Sequence, residues 1–327
     1  MRIINLTCLL MIIAGMPHYA RKSADAYSGT RFVSTSISPA DTAGSMLNLE
    51  VGYSKKVFYS VDVKDAAAAA HIIILKIVEK TGISIRLTTS VYEDMEHIIK
   101  DLKGKKLDLI TVLSEDLPVL MQHHVVDPFL IEVEEEQLFE NFVICMRKNR
   151  SESGLASLAG RKIAISIWVD SDLPVYWLEL LLHERNLPDA GTFFSIADRI
   201  RNPEQAIMQV FFHNMDACLV PRQAYDVLKE MNPQIADEIT IVAESPDFIN
   251  GVLCLNKTLT EKDKRSLIEE KLLKLKNEVG GRQMMDLFRV YDFLPYEEHY
   301  LHDTYEVIRQ YNDLVKRRTV NPELGRQ

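Results

Sequence analysis

From Leu47 onward, short runs of alternating apolar and polar residues are separated by longer stretches with apolar residues at helical spacing. Leu47, Leu49 and Val51 alternate with Asn48 and Glu50, which predicts a half-buried strand closed by a turn at Gly52-Tyr53-Ser54. Asp62 or Asp65 can cap the helix that follows, built from Ala66 to Ala70 and Ile72 to Val78, with Gly82 just beyond its end. A strand over Ile83 to Leu87, a helix from about Asp94 to Leu102 and a buried strand from Leu107 to Leu113 complete a β-α-β-α-β unit. The same order returns after Lys148: strand Ile163 to Ile167, helix Pro174 to Arg185, strand Thr192 to Ile196, helix Pro203 to Phe212 and strand Ala217 to Val220. Extended stretches at Phe129 to Val133 and Phe139 to Met146 lie between the units. Strands at Ile239 to Ala243 and Val252 to Leu255 follow, then helices from Leu259 to Val279 and from Thr304 to Val315.

Such alternation implies an α/β protein with mostly parallel sheets flanked by helices and right-handed crossovers. Two units joined by two extended crossings predict two lobes around a cleft, hinged near Phe142 to Arg147 and Ala243 to Asp247. The expected partition is residues 46–145 with 245–320 in one lobe and 146–244 in the other. Residues 27–45, rich in Ser, Thr and Ala without a sustained period, read as a flexible leader. Ligands of open α/β sheets sit beyond the carboxyl ends of the strands, so facing lobes would enclose a small molecule.

The first 26 residues change the compartment. Arg2, the apolar run Ile3 to Gly15 and the small-x-small Ala24-Asp25-Ala26 read as a cleavable export signal into the periplasm. An uncleaved anchor is the alternative, but the run falls short of the roughly 20 residues that span a bilayer as a helix. The whole chain carries a net charge of −9, and loss of Arg2, Arg21 and Lys22 against Asp25 leaves the remainder more acidic still. That field repels nucleic acid and anionic lipid, which favours a small-molecule partner. Cys145, Cys218 and Cys254 are odd in number, sit in apolar runs, and read as buried small hydrophobes.

Several segments carry a family resemblance: DVKDAAAAA, VYEDMEHIIKDLKGKKLDLITVL, LASLAGRKIAI, QAIMQVFFHNMDACLVPRQAYDVLKEMNPQI and GGRQMMDLF. In order and spacing, over about residues 47–311, the chain resembles the periplasmic phosphate/phosphonate-type substrate-binding proteins of ABC transporters. The resemblance implies a two-lobed periplasmic-binding-protein fold of type II with a two-strand hinge. It also implies an anion held at the start of the helix after the second lobe's first strand, where free N–H groups and the helix dipole favour negative charge. The matching stretch is Trp168-Val169-Asp170-Ser171-Asp172-Leu173-Pro174. Only Ser171 keeps a hydroxyl there, and the ionised Asp170 and Asp172 can only accept hydrogen bonds. Either the aspartates cap the helix, or one faces the cleft and selects a cationic or zwitterionic solute.

The same strand-end rule nominates Tyr53 and Ser54, Tyr92, and Ser114 with Glu115. Tyr53 and Tyr92 resemble the family's ligand-contacting tyrosines, or else pack on a helix at the rim. Trp168 either stacks on a ligand or fills the space between lobes. Asp216 matches a position often acidic in the family, or serves a turn. No nucleophile elbow, zinc helix, dinucleotide loop or Walker loop is present, and no catalytic residue, cofactor or metal is expected. The resemblance implies a monomeric, non-enzymatic solute-binding protein that captures a phosphonate-like or zwitterionic ligand and presents it to an ABC permease or membrane sensor. The alternative is a sensory or interaction module on the same fold that has lost oxyanion binding.

Overall fold

The computed structural model describes residues 30–36, 46–58, 62–79, 84–134, 137–148, 154–166, 171–259, 262–277, 279–287 and 290–320. The export signal, Trp168 and Asp170 lie outside them. Two sheets organise the chain. The first contains β1 (Arg31–Ser36), β2 (Leu47–Ser54), β3 (Ile85–Tyr92), β4 (Leu109–Leu113), β5 (Val126–Glu134), β11 (Gly251–Asn256) and β12 (Val290–Pro295), in the order β1-β3-β2-β4-β11-β5-β12. The second contains β6 (Phe142–Arg147), β7 (Lys162–Ser166), β8 (Ile196–Ile200), β9 (Ala217–Pro221) and β10 (Ile239–Glu244), in the order β10-β6-β9-β7-β8.

β3, β2 and β4 run parallel inside the first sheet, and β9, β7 and β8 run parallel at one edge of the second, as helical crossovers require. The remaining pairs are antiparallel, so both sheets are mixed rather than mostly parallel. β6 pairs with β9 and β10 from Phe142 onward, which assigns Phe142–Arg147 to the second lobe and moves the first crossing to the residues before it. Other local readings shift as well, in the strands because pairing partners override propensity. Arg31–Ser36 of the expected leader is an edge strand along β3. Gly52 lies inside β2, where an added Cβ would fall 2.8 Å from Ile110 Cδ1 and 3.2 Å from Tyr92 Cε2. Residues 190–193 form a short helix, and the strand predicted at Thr192 begins at Ile196. The stretch from Leu259 splits into helices Lys262–Leu273 and Val279–Leu287 with a 3₁₀ turn at Leu275–Asn277.

Helix starts follow local chemistry. Asp62 Oδ1 accepts the Lys64 N–H at 2.9 Å before helix Val63–Glu79, and Asp94 Oδ1 accepts the His97 N–H at 2.9 Å before helix Met95–Lys103. The two helices cover opposite faces of the first sheet: Ala67 and Ala70 of one pack with Leu49, Val51 and Leu87, while Ile98 and Leu102 of the other pack with Ile110 and Val112. In the second lobe Trp177, Leu178 and Leu182 cover one face and Ala206, Ile207 and Val210 the other. Cys145 and Cys218 face each other across β6 and β9 in that second core. Hydrogen bonding to Cys218 and burial push the Cys145 thiol up, away from reactive thiolate.

His71, on the helix Val63–Glu79, ties β1 and β3 together: Nε2 lies 2.7 Å from Ser34 Oγ and Nδ1 2.8 Å from Thr89 Oγ1. Burial pushes its pKa down from 6.5 to about 4. Between these values the unfolded chain takes up a proton that the native imidazole refuses, so stability falls as pH drops through that window. Urea unfolding at pH 7.5 and 5 should therefore show a larger midpoint loss for the wild type than for His71→Gln; equal losses would contradict this account.

The crossings bond to each other. Glu140 and Phe248 exchange backbone hydrogen bonds of 2.9 and 2.8 Å, Ser245 Oγ accepts the Phe142 N–H at 2.8 Å, and Asn250 Nδ2 donates to Glu140 Oε2 at 2.9 Å. The last helix, His302–Val320, runs over both lobes: Leu301 just before it and Tyr305 pack in the first, and Val307 and Leu314 in the second. Its Tyr311 stacks on Tyr176 with ring centroids 4.1 Å apart, and its Arg318 bonds Glu179 at 2.8 Å.

Candidate functional site

The parallel strands β2 and β4 end on the same side of the first sheet, and each runs straight into a 3₁₀ turn, Lys55–Val57 after β2 and Ser114–Asp116 after β4. Ser54 and Ser114, both buried, are the residues at these junctions. Ser114 fixes its turn against the returning crossing: its hydroxyl donates to the Ile249 carbonyl and its N–H to the Asn250 carbonyl at 2.7 Å. The turns thereby bring Lys56 and Glu115 together, with Lys56 Nζ 3.0 Å from Glu115 Oε1 and 3.1 Å from Asp116 Oδ1.

Facing them is the N-terminus of the helix Leu173–Glu184 of the second lobe. Glu115 Oε2 accepts the Ser171 hydroxyl at 2.6 Å and the Asp172 N–H at 3.0 Å, while Ser171 Oγ accepts the Leu173 N–H at 3.2 Å. A carboxylate of one lobe therefore sits on the helix N-terminus of the other. The Asp172 side chain makes no capping bond; its carbonyl accepts the first helical N–H groups, from Val175 and Tyr176. Burial pushes the Glu115 carboxyl above its ordinary range, against the opposing pull of the Ser171 hydroxyl and Lys56. Burial would lower the Lys56 ammonium, but Asp116 and Glu115 outweigh it and push it up. Tyr176, beside Asp172 and Glu115, is raised to about 12 by burial and these charges.

A cavity of about 190 Å³ also opens between the lobes. Glu132, Phe139 and Glu140 line it from the first lobe and its crossing, Glu204 and Gln223 from the second, and the described lining residues include no Lys, Arg or His. Convergent carboxylates and amides in a small cavity suit a cationic group.

Of the residues nominated from sequence, Ser171 and Asp172 meet Glu115 at the lobe–lobe contact, Ser114 anchors the turn that carries Glu115, and Ser54 is buried at the end of β2. Tyr53 is a core residue whose ring lies 5.6 Å from Phe58 and is not among the residues lining the cavity; burial and the Glu132 carboxylate push its phenol up. Two nominations are corrected. Tyr92 turns into the first lobe, where its hydroxyl donates to Asp101 Oδ2 at 3.0 Å, because the core between β3 and helix Met95–Lys103 takes the ring. Asp216 accepts the Lys162 N–H at 2.9 Å and binds the amino-terminal ends of β7 and β9, opposite to the ends that face the cleft. Lys56, Glu132, Glu140 and Glu204 were missed: Lys56 sits one turn past a strand end, and the glutamates are distant in sequence.

A family model described as "ABC transporter, phosphonate, periplasmic substrate-binding protein" matches residues 60–300. The chain belongs to this family. No curated protein sequence matches it. Among solved structures it resembles a Xanthomonas citri protein bound to chloride (14% identity, TM-score 0.59, 81% of this chain and 99% of that one). It is also similar to PhnD1 from Prochlorococcus marinus in complex with methylphosphonate (15%, 0.53, 81% and 98%). A third is a binding protein component of an ABC phosphonate transporter from Pseudomonas aeruginosa (13%, 0.52, 86% and 96%). These likenesses establish the two-lobed fold. Among the described residues, no helix is long and apolar enough to cross a membrane.

Proposed function

We propose that this family member is exported to the periplasm, captures a small polar solute bearing a protonated amine between its lobes, and presents it to an ABC permease. The observation that carries this reading is the cavity shared by both lobes and lined by Glu132, Glu140 and Glu204. An ammonium group there would be paired with carboxylates from each side. Contacts to both lobes favour the closed arrangement over an open one by the difference in affinity for the two, and the two hydrogen-bonded crossings supply the hinge. A permease then reads the closed form.

Native mass spectrometry of freshly purified protein, followed by calorimetric titration with ethanolamine, putrescine, aminoethylphosphonate, basic amino acids and inorganic phosphate, tests the assignment. Saturable heat is expected for an amine-bearing solute and none for phosphate. Absence of binding across the amine set, with no co-purifying solute, would overturn it.

A further inference from the structure

The N-terminus of helix Leu173–Glu184 presents what a ligand oxyanion would need: the Asp172 backbone N–H, which lies outside the helical ladder, the Ser171 hydroxyl and, from the opposite lobe, the Lys56 ammonium. All three are engaged by one side chain. Glu115 Oε2 takes the hydroxyl and the N–H, Oε1 takes the ammonium, and the carboxyl-bearing side chain is only 5% exposed. Asp116 shares Lys56 with it. An incoming phosphonate would have to displace Glu115 from its donors while leaving that charge buried beside Asp116 and Asp172, and like charges at such separations repel strongly.

We propose that Glu115 is a specificity-determining residue that acts as an internal anion, filling the seat of a ligand's oxyanion so that the cleft rejects free phosphonate and phosphate. The inference rests on the reading of the cleft as a solute site. It states which half of a zwitterion the protein supplies for itself: the anion comes from Glu115 and the solute brings the cation. The same contact joins the lobes, so the seat stays filled whenever they close.

The test is calorimetry of the full chain with methylphosphonate and inorganic phosphate, for wild type, Glu115→Ala and Glu115→Ala/Ser171→Ala. The wild type should give no saturable heat at millimolar ligand. Glu115→Ala should gain affinity by roughly 10- to 100-fold over that limit, the range of one or two hydrogen bonds to a charged group, and the added Ser171→Ala should remove much of the gain. A purely structural role would lower stability without creating affinity. Glu115→Ser, which keeps a hydroxyl to meet Ser171, replaces Glu115→Ala if the latter does not fold, with the same expectation. Saturable binding of methylphosphonate by the wild type, or a cooperatively melting variant that gains none, would overturn the proposal. These results are separable from failure of the cleft reading, which appears as absence of amine binding in the wild type whatever Glu115→Ala does.

Discussion

Phe248→Ala should cost about 3–5 kcal/mol of stability, the usual range for truncating a large buried aromatic side chain. Phe248 is fully buried, lies 6.0 Å from the Phe142 ring between centroids, and exchanges two backbone hydrogen bonds with Glu140 on the other crossing. It also lines the cavity between the lobes, so the truncation removes core from the hinge and wall from the site together. Urea unfolding is the check: the midpoint should fall while the slope, which reports exposed surface, stays constant. A loss below about 1 kcal/mol would mean that the hinge collapses around the gap, contrary to the close packing described for it.

Lys264→Met should be as damaging by a different route, about 3–5 kcal/mol, because it removes one partner of a buried ion pair. Lys264 Nζ lies 2.9 and 3.1 Å from the two Asp108 oxygens, with both side chains 9% exposed, and Asp108 Oδ2 also accepts the Glu50 N–H at 2.8 Å. The ion pair thus fastens helix Lys262–Leu273 to the junction of β2 and β4. Replacing both partners, Lys264→Met with Asp108→Asn, should recover a large part of the loss, since the neutral amide oxygen can still accept from Glu50. Thermal unfolding of the two single variants and the double closes the cycle. Additive losses would show that the pair is not coupled and would refute the argument.

How much of this was readable in advance depends on range. The helix start at Asp62 or Asp65, which the structure assigns to Asp62, and the one near Asp94 were legible because a cap is a contact over two or three residues. The two β-α-β-α-β units were legible from periodicity and with them the two-lobed class; the strand Val290–Pro295 and the helices Leu117–Gln122 and Arg222–Met231 were not. Tyr92 was misjudged because its strand-end position is shared by side chains that turn inward, and only the presence of Asp101 shows that this one does. Asp216 was misjudged because its nomination came from the family resemblance, whereas its place just before the strand Ala217–Pro221 puts it at the amino end, away from the carboxyl ends that face the cleft. Arg31–Ser36, polar and short, gains its strand character from β3 alone.

Alternation of apolar residues along the chain sufficed to set the α/β class and the duplicated β-α-β-α-β plan, since each is carried by residues a few positions apart. The meeting of Glu115 with Ser171, the pairing of Lys264 with Asp108 and the gathering of Glu132, Glu140 and Glu204 around one cavity were decided by tertiary structure. Glu115 and Ser171 are 56 residues apart, Lys264 and Asp108 are 156 apart, and Glu204 lies on the other lobe from Glu132 and Glu140. Their interaction depends on distances of a few ångströms, which sheet order and lobe closure fix and which spacing along the chain does not encode.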